Sequence, residues 1–150
     1  MRVRSSLASD ADVIEAMFHE FVAELRQIGD TTPYRFGAEQ YLRDGFGLDP
    51  AFRALIAEDT AGAAGYLLFA RTYEGDYQRG FYMVDLFVRA RVRSQGVARM
   101  LIDAVSEIGR SEGAVRLSWT VHKGNARARR FYEKLGATTE HDADVMSIEL

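Results

Sequence analysis

One stretch of this sequence constrains the fold more than any other. Between Gly80 and Val121 the apolar pattern changes period and then changes back. Tyr82, Val84, Leu86 and Val88 alternate with Phe81, Met83, Asp85 and Phe87, which is the period of a strand. Val97, Met100, Leu101, Ala104, Val105 and Ile108 then recur at the spacing of one helix face. Val115, Leu117, Trp119 and Val121 alternate again. A strand, a helix and a strand in so short a span place two parallel strands side by side. Parallel neighbours cannot be joined by a tight turn and need a crossover of this length.

The flanking sequence extends that unit. Arg2 to Leu7 reads as a first strand, and Ser9-Asp10-Ala11-Asp12 as a helix start with Ser9 as the cap. Val13, Ile14, Met17, Phe18, Phe21, Val22 and Leu25 form a helical face that Gly29 closes. Residues 38–44 suit a short second helix. Phe52 to Glu58, Ala64 to Tyr73 and Gly80 to Arg89 read as an antiparallel meander. After the central helix and its following strand, Ala128, Phe131, Tyr132 and Leu135 mark another helix, stopped by Gly136. Val145 to Leu150 reads as a closing strand. The expected order is β α α β β β α β α β β, an α/β fold.

Composition narrows the functional classes. The chain has 150 residues, and no linker divides them, so one domain over 1–150 is expected. Cysteine is absent, which excludes disulfides, thiolate metal sites and a Cys nucleophile within these residues. The three histidines show no metal-ligand spacing, and no metal is expected. No apolar run has a membrane-spanning length and no signal-peptide apolar region follows Met1, so no membrane association and a cytoplasmic location are expected. The net charge of −3 argues against a nucleic-acid partner. That net value hides an asymmetry: residues 1–60 carry 11 acids and 6 bases, residues 61–150 carry 11 and 13. Either chance or two halves facing ligands of opposite sign would produce it.

Two segments carry chemistry. Arg93-Ser94-Gln95-Gly96-Val97-Ala98 precedes the most periodic helix. The first amides of a helix lack internal partners and can bind an anion. Gly96 and Ala98 leave that backbone accessible, and Arg93 and Arg99 add positive charge. The second segment is Asn125 through Gly136, with Phe131 and Tyr132 in its middle. The spaced pair, Arg-x-x-Gly-x-Ala at 93–98 and Asn-x-x-Ala-x-x-Phe-Tyr-x-x-x-Gly at 125–136, resembles the GCN5-related N-acetyltransferase (GNAT) superfamily. Gly65-Tyr66-Leu67-Leu68, Thr72-Tyr73 and Val84-Asp85-Leu86-Phe87-Val88 look most like diamine (spermidine/spermine) acetyltransferases.

The resemblance implies a mixed sheet of six or seven strands with about four helices, acetyl-CoA as cosubstrate and a homodimer. It implies that acetyl moves to the primary amine of a small molecule, such as a polyamine, by direct attack in a ternary complex. Carried over residue by residue, the backbone of Leu86, Phe87 and Val88 holds the acetyl and pantetheine part. Arg93, Ser94, Gln95, Gly96, Val97, Ala98 and Arg99 form the pyrophosphate cradle. Asn125 bonds the pantetheine arm, and Tyr132 protonates the departing thiolate. Diamine acetyltransferases carry Glu before the Asp of the central strand, where this chain has Val84. Asp85 then stands as the candidate base, although strict alternation turns it to the face opposite Val84 unless a bulge intervenes. His122 is a second candidate base. Glu20, Glu24 and Asp30 either attract a cationic acceptor or form an ordinary solvated surface, and Trp119 is expected in the core. Two rival readings are a catalytically silent acyl-CoA-binding module, motivated by Val84, and an acetyltransferase of protein N-termini or lysines.

Overall fold

The computed structural model describes residues 1–150, which form two compact units, residues 1–120 and 121–150. The first unit is a five-stranded sheet with helices on both faces. Its strands are β1 (Arg2–Ser5), β2 (Arg53–Asp59), β3 (Gly62–Tyr73), β4 (Arg79–Val88) and β5 (Arg116–Ser118). They lie in sequence order, antiparallel except for the parallel β4–β5 pair. Helices α1 (Ala11–Gln27) and α2 (Ala38–Phe46) precede β2, and α3 (Val97–Ser111) is the crossover from β4 to β5. The meander and the parallel pair are those the periodicities predict. The second unit holds α4 (Ala126–Lys134), and Gly136 turns the chain beyond it at φ +87°.

The two faces of the sheet have separate cores. On one, Ile14 and Met17 of α1 and Tyr41 of α2 pack against Ala54, Ile56, Tyr66, Leu68 and Phe87. On the other, the ring of Phe81 lies under Gly109 of α3 and beside the ring of Phe69, with centroids 5.3 Å apart. Val97, Leu101 and Val105, the stripe that the sequence marks, are buried in α3.

Three expectations are corrected. Ser9 does not cap α1: residues 8–10 make a 3-10 turn, and Asp10 instead accepts the Leu7 amide (2.7 Å) while Arg4 clamps its carboxylate (2.8 and 2.9 Å). The sheet has five strands rather than six or seven, because no strand forms in the tail. Val145, Met146, Ile148 and Leu150 are exposed there, and alternation supplies strand propensity without supplying a ladder. The strand after α3 is only three residues long, so Val115 is exposed and Trp119 half-buried, outside the core.

Candidate active site

The feature that organises the site is a bulge in β4. Leu68 pairs with Asp85, but the next residue of β3, Phe69, pairs with Met83. Val84 is the extra residue, unpaired and 52% exposed. A bulge shifts the side-chain alternation by one. Phe81 and Met83 therefore face α3, while Asp85 and Phe87 face α1. The alternation read from sequence holds up to Met83 and inverts beyond it.

This inversion places Asp85 among aromatic groups. The Tyr66 hydroxyl donates to Asp85 Oδ2, and the Tyr66 ring lies 6.2 Å from that of Phe87. Burial raises the Asp85 carboxyl to about 7, although the Tyr66 hydroxyl and the Leu86 amide draw it partway back. A carboxyl of that acidity is part ionised near neutral pH and suits a general base. Burial and the bond to Asp30 raise the phenol of Tyr34, in the loop before α2, and the Asp85 charge adds to the effect.

The edge of β4 beyond the bulge is open. β5 pairs only with Gly80 to Tyr82 and ends at Ser118. Arg89 donates its amide to the Ala64 carbonyl (2.9 Å). The two-residue ladder repeat then turns the amides of Phe87 and Asp85 toward β3, and those of Leu86 and Val88 toward the open edge. Leu86 and Val88 thus turn backbone away from β3, while the Phe87 amide belongs to the ladder and its ring to the core.

The loop from Arg93 to Arg99 begins where that edge ends. Buried Val92 and Val97 peg it, while Ser94, Gln95 and Gly96 are exposed between them. Ser94 at φ +62° and Gly96 at φ +80° curl the backbone. Met100 is the first amide of α3 to bond back, to the Gly96 carbonyl (3.0 Å). The amides of Val97, Ala98 and Arg99 have no carbonyl four residues back to reach, the arrangement that accepts an anion.

The arginines around this loop are paired within the chain. Arg93 donates Nε to the Val88 carbonyl (2.9 Å), pairs with Glu24 of α1 and gives its amide to the Ala90 carbonyl (3.3 Å). Arg89 pairs with Glu20 (2.8 Å), Arg91 with Asp59 (2.6 Å) and Arg99 with Asp103 (2.8 Å). Glu20 and Glu24 are therefore neither a lure for a cationic acceptor nor a merely solvated surface. They tie α1 to the basic run after β4. Asp30 accepts the Thr32 amide (2.8 Å) and the Tyr34 hydroxyl (2.5 Å), and is similarly committed. Much of the charge asymmetry along the chain is cancelled within the first unit.

In the second unit, Asn125 caps α4, accepting the Ala128 amide at 3.0 Å, so its side-chain NH2 is the part left to meet a ligand. Tyr132 is half-buried on α4 with its ring 5.3 Å from that of Phe131. His122 is exposed, and its Nδ1 accepts the Gly124 amide (3.0 Å). That bond uses the lone pair a base would need and leaves the proton of the neutral ring on Nε2. A cavity of about 190 Å³ between β2 and α3, lined by Phe46, Phe52, Arg53 and Ile108 among others, shares no residue with these candidates.

The acetyltransferase (GNAT) family model matches residues 14–137, the span that carries both motifs and the strand–helix–strand unit. The chain belongs to this family. It is 27% identical over 150 residues to a thialysine N-epsilon-acetyltransferase of Bos taurus, covering 95% of this chain and 86% of that one. It is 36% identical over 75 residues to an L-ornithine N5-acetyltransferase of Arabidopsis thaliana, covering 49% of this chain and 33% of the relative. Among solved structures, a mutant of the BH1408 protein of Bacillus halodurans superposes with a TM-score of 0.81 at 18% identity, over 100% of this chain and 99% of that one. The GNAT fold and acetyltransferase activity expected from the motifs are thereby established. No helix is long and apolar enough to cross a membrane, and no group of side chains is arranged to hold a metal ion.

Proposed function

We propose that this acetyltransferase moves acetyl from acetyl-CoA to a primary amine of a small molecule, with Asp85 as the base. The observation that carries the reading is the Asp85 carboxyl, turned by the bulge onto the α1 face and held near neutral acidity. A protonated amine must lose a proton before it can attack, and the carboxylate of Asp85 is placed to receive it. The acceptor class follows from the relatives, whose names specify the terminal amines of thialysine and ornithine. A short ω-amine of that kind, or a polyamine, is the acceptor proposed here.

The reaction divides among residues as follows. Asp85 takes a proton from the ammonium, and the freed lone pair forms the C–N bond at the acetyl carbon. The Val88 amide on the open edge of β4 donates to the carbonyl oxygen as it gains charge, since the Leu86 amide already serves the Asp85 carboxylate. Tyr132 gives its phenol proton to the sulfur as the C–S bond breaks, and it regains a proton through water from the new amide nitrogen, which must shed its second proton. The amides from Ser94 to Arg99 hold the pyrophosphate, and the Asn125 side chain bonds the pantetheine arm. No cysteine is available to carry the acetyl group, which favours direct attack over an acyl-enzyme.

The test is calorimetric titration with acetyl-CoA, using ATP as control, followed by thiol-release assays over diamines, ornithine and other ω-amino acids. Selective binding with turnover on one of these amines is expected. Binding without turnover on any amine would favour a silent acyl-CoA-binding module, and no binding would overturn the cosubstrate assignment.

A further inference from the structure

Val84 stands where the resemblance to diamine acetyltransferases implies a Glu, so Asp85 must be made competent by something else in this chain. The geometry points to Tyr66 as the positioning residue of the catalytic base: its hydroxyl fixes the Asp85 carboxylate and favours its ionised form. This inference rests on the assignment of Asp85 as base and extends it.

Four observations carry it. Tyr66 is wholly buried, and its ring is locked between the α1 face and Phe87. A phenol in that position needs a partner for its hydroxyl, and Asp85 Oδ2 supplies it. No buried side-chain nitrogen or oxygen in the molecule is left unsatisfied, and for the Tyr66 hydroxyl it is Asp85 that meets this need. Finally, the pairing exists only because of the bulge. In an unbroken strand Asp85 would face α3, and Tyr66 would be buried without a partner.

The consequence for the reaction is specific. The Tyr66 hydroxyl keeps its own proton, since burial and the neighbouring Asp85 raise its phenol well above the ordinary range. It therefore acts as a fixed donor rather than as a second acid. One carboxylate oxygen accepts from it, the carboxylate also accepts from the Leu86 amide, and the lone pairs that remain meet the amine. A donor to the ionised form opposes the burial that raises the carboxyl, and so sets the pH at which the base becomes available. The other titratable and charged groups on the surrounding elements are already engaged. Tyr34 donates to Asp30, while Glu20 and Glu24 of α1 are held by Arg89 and Arg93.

Tyr66→Phe keeps the ring and removes only the donor. Without it the Asp85 carboxyl rises further, so the acidic limb of the kcat profile should move up by about one pH unit. Activity should fall about tenfold near pH 6.5 and recover to within about twofold at pH 9, with acetyl-CoA affinity unchanged. Tyr34→Phe, whose hydroxyl bonds Asp30 instead, should leave the limb in place. Asp85→Asn separates the two claims. A near-inactive Asp85→Asn with an unmoved limb in Tyr66→Phe would overturn the positioning role alone. A fully active Asp85→Asn would overturn Asp85 as base and the inference with it. Uniform loss in Tyr66→Phe at every pH, with the melting temperature retained or lowered, would also reject the positioning role in favour of simple packing.

Discussion

The two faces of the sheet are built on different terms. Against α3, Leu67, Phe69, Phe81 and Met83 meet Val97, Leu101 and Val105, and each is a buried apolar side chain. Against α1 and α2, the apolar cluster is interrupted by the Tyr66–Asp85 pair. Two further buried acids, Asp10 and Asp30, lie in the segments that begin and end α1. One face is packing alone, which is non-directional and tolerant of exchange among similar volumes. The other is directional, and its polar groups are stable only while every bond is made. The chemistry proposed for Asp85 sits on the directional face, and a single inserted residue, Val84, separates the two regimes within one strand.

Substitutions can break this contrast from either side. Leu101→Ala, at a fully buried site on the α3 face, should cost about 3 kcal/mol of stability by chemical denaturation. It should leave the pH profile of acetylation where it was, and a shifted profile would show that the faces are coupled. Asp10→Asn removes the carboxylate that Arg4 and the Leu7 amide hold, and should cost about 2 kcal/mol at pH 7. Arg4 holds the Asp10 carboxyl below the ordinary carboxylate range, so its contribution is complete above the unfolded acidity of 3.8. That contribution fades as pH falls through the lower folded value. The stability difference between the protein and Asp10→Asn should therefore close in strong acid, and a constant difference would assign the loss to packing. Val84→Ala should change stability by no more than about 0.5 kcal/mol, because the side chain is half exposed and its residue unpaired. Kinetics that also stay put would show that the bulge matters as an inserted residue, with no role for its side chain.

The legibility of the sequence divides along the same line. Elements defined by periodicity emerge with small shifts of boundary: the 97–108 stripe is α3, the 80–89 alternation is β4, and Gly29, Gly113 and Gly136 end helices at positive φ. Val145 to Leu150 has the alternation of a strand without becoming one. In the site, the loop 93–99 was legible because a small-residue helix start is a local signal. Tyr66 was not, because nothing in Gly65-Tyr66-Leu67 distinguishes a core aromatic from one that bonds a carboxylate on another strand. Nor could the pairing of Arg89 with Glu20, across 69 residues, be separated by composition from charges awaiting ligands.

By itself the sequence determined the order of elements as far as α4, the parallel β4–β5 crossover, the exposed helix start at Gly96 and the family. Each depends on residues near one another in the chain, where period, turn chemistry and the unpaired amides of a helix end act locally. Only the tertiary structure decided which face Asp85 occupies, that Tyr66 meets it, and that the arginines after β4 are spent on α1 and β2. A strand's register is fixed by its neighbour, and a bulge of one residue exchanges the faces of every side chain beyond it.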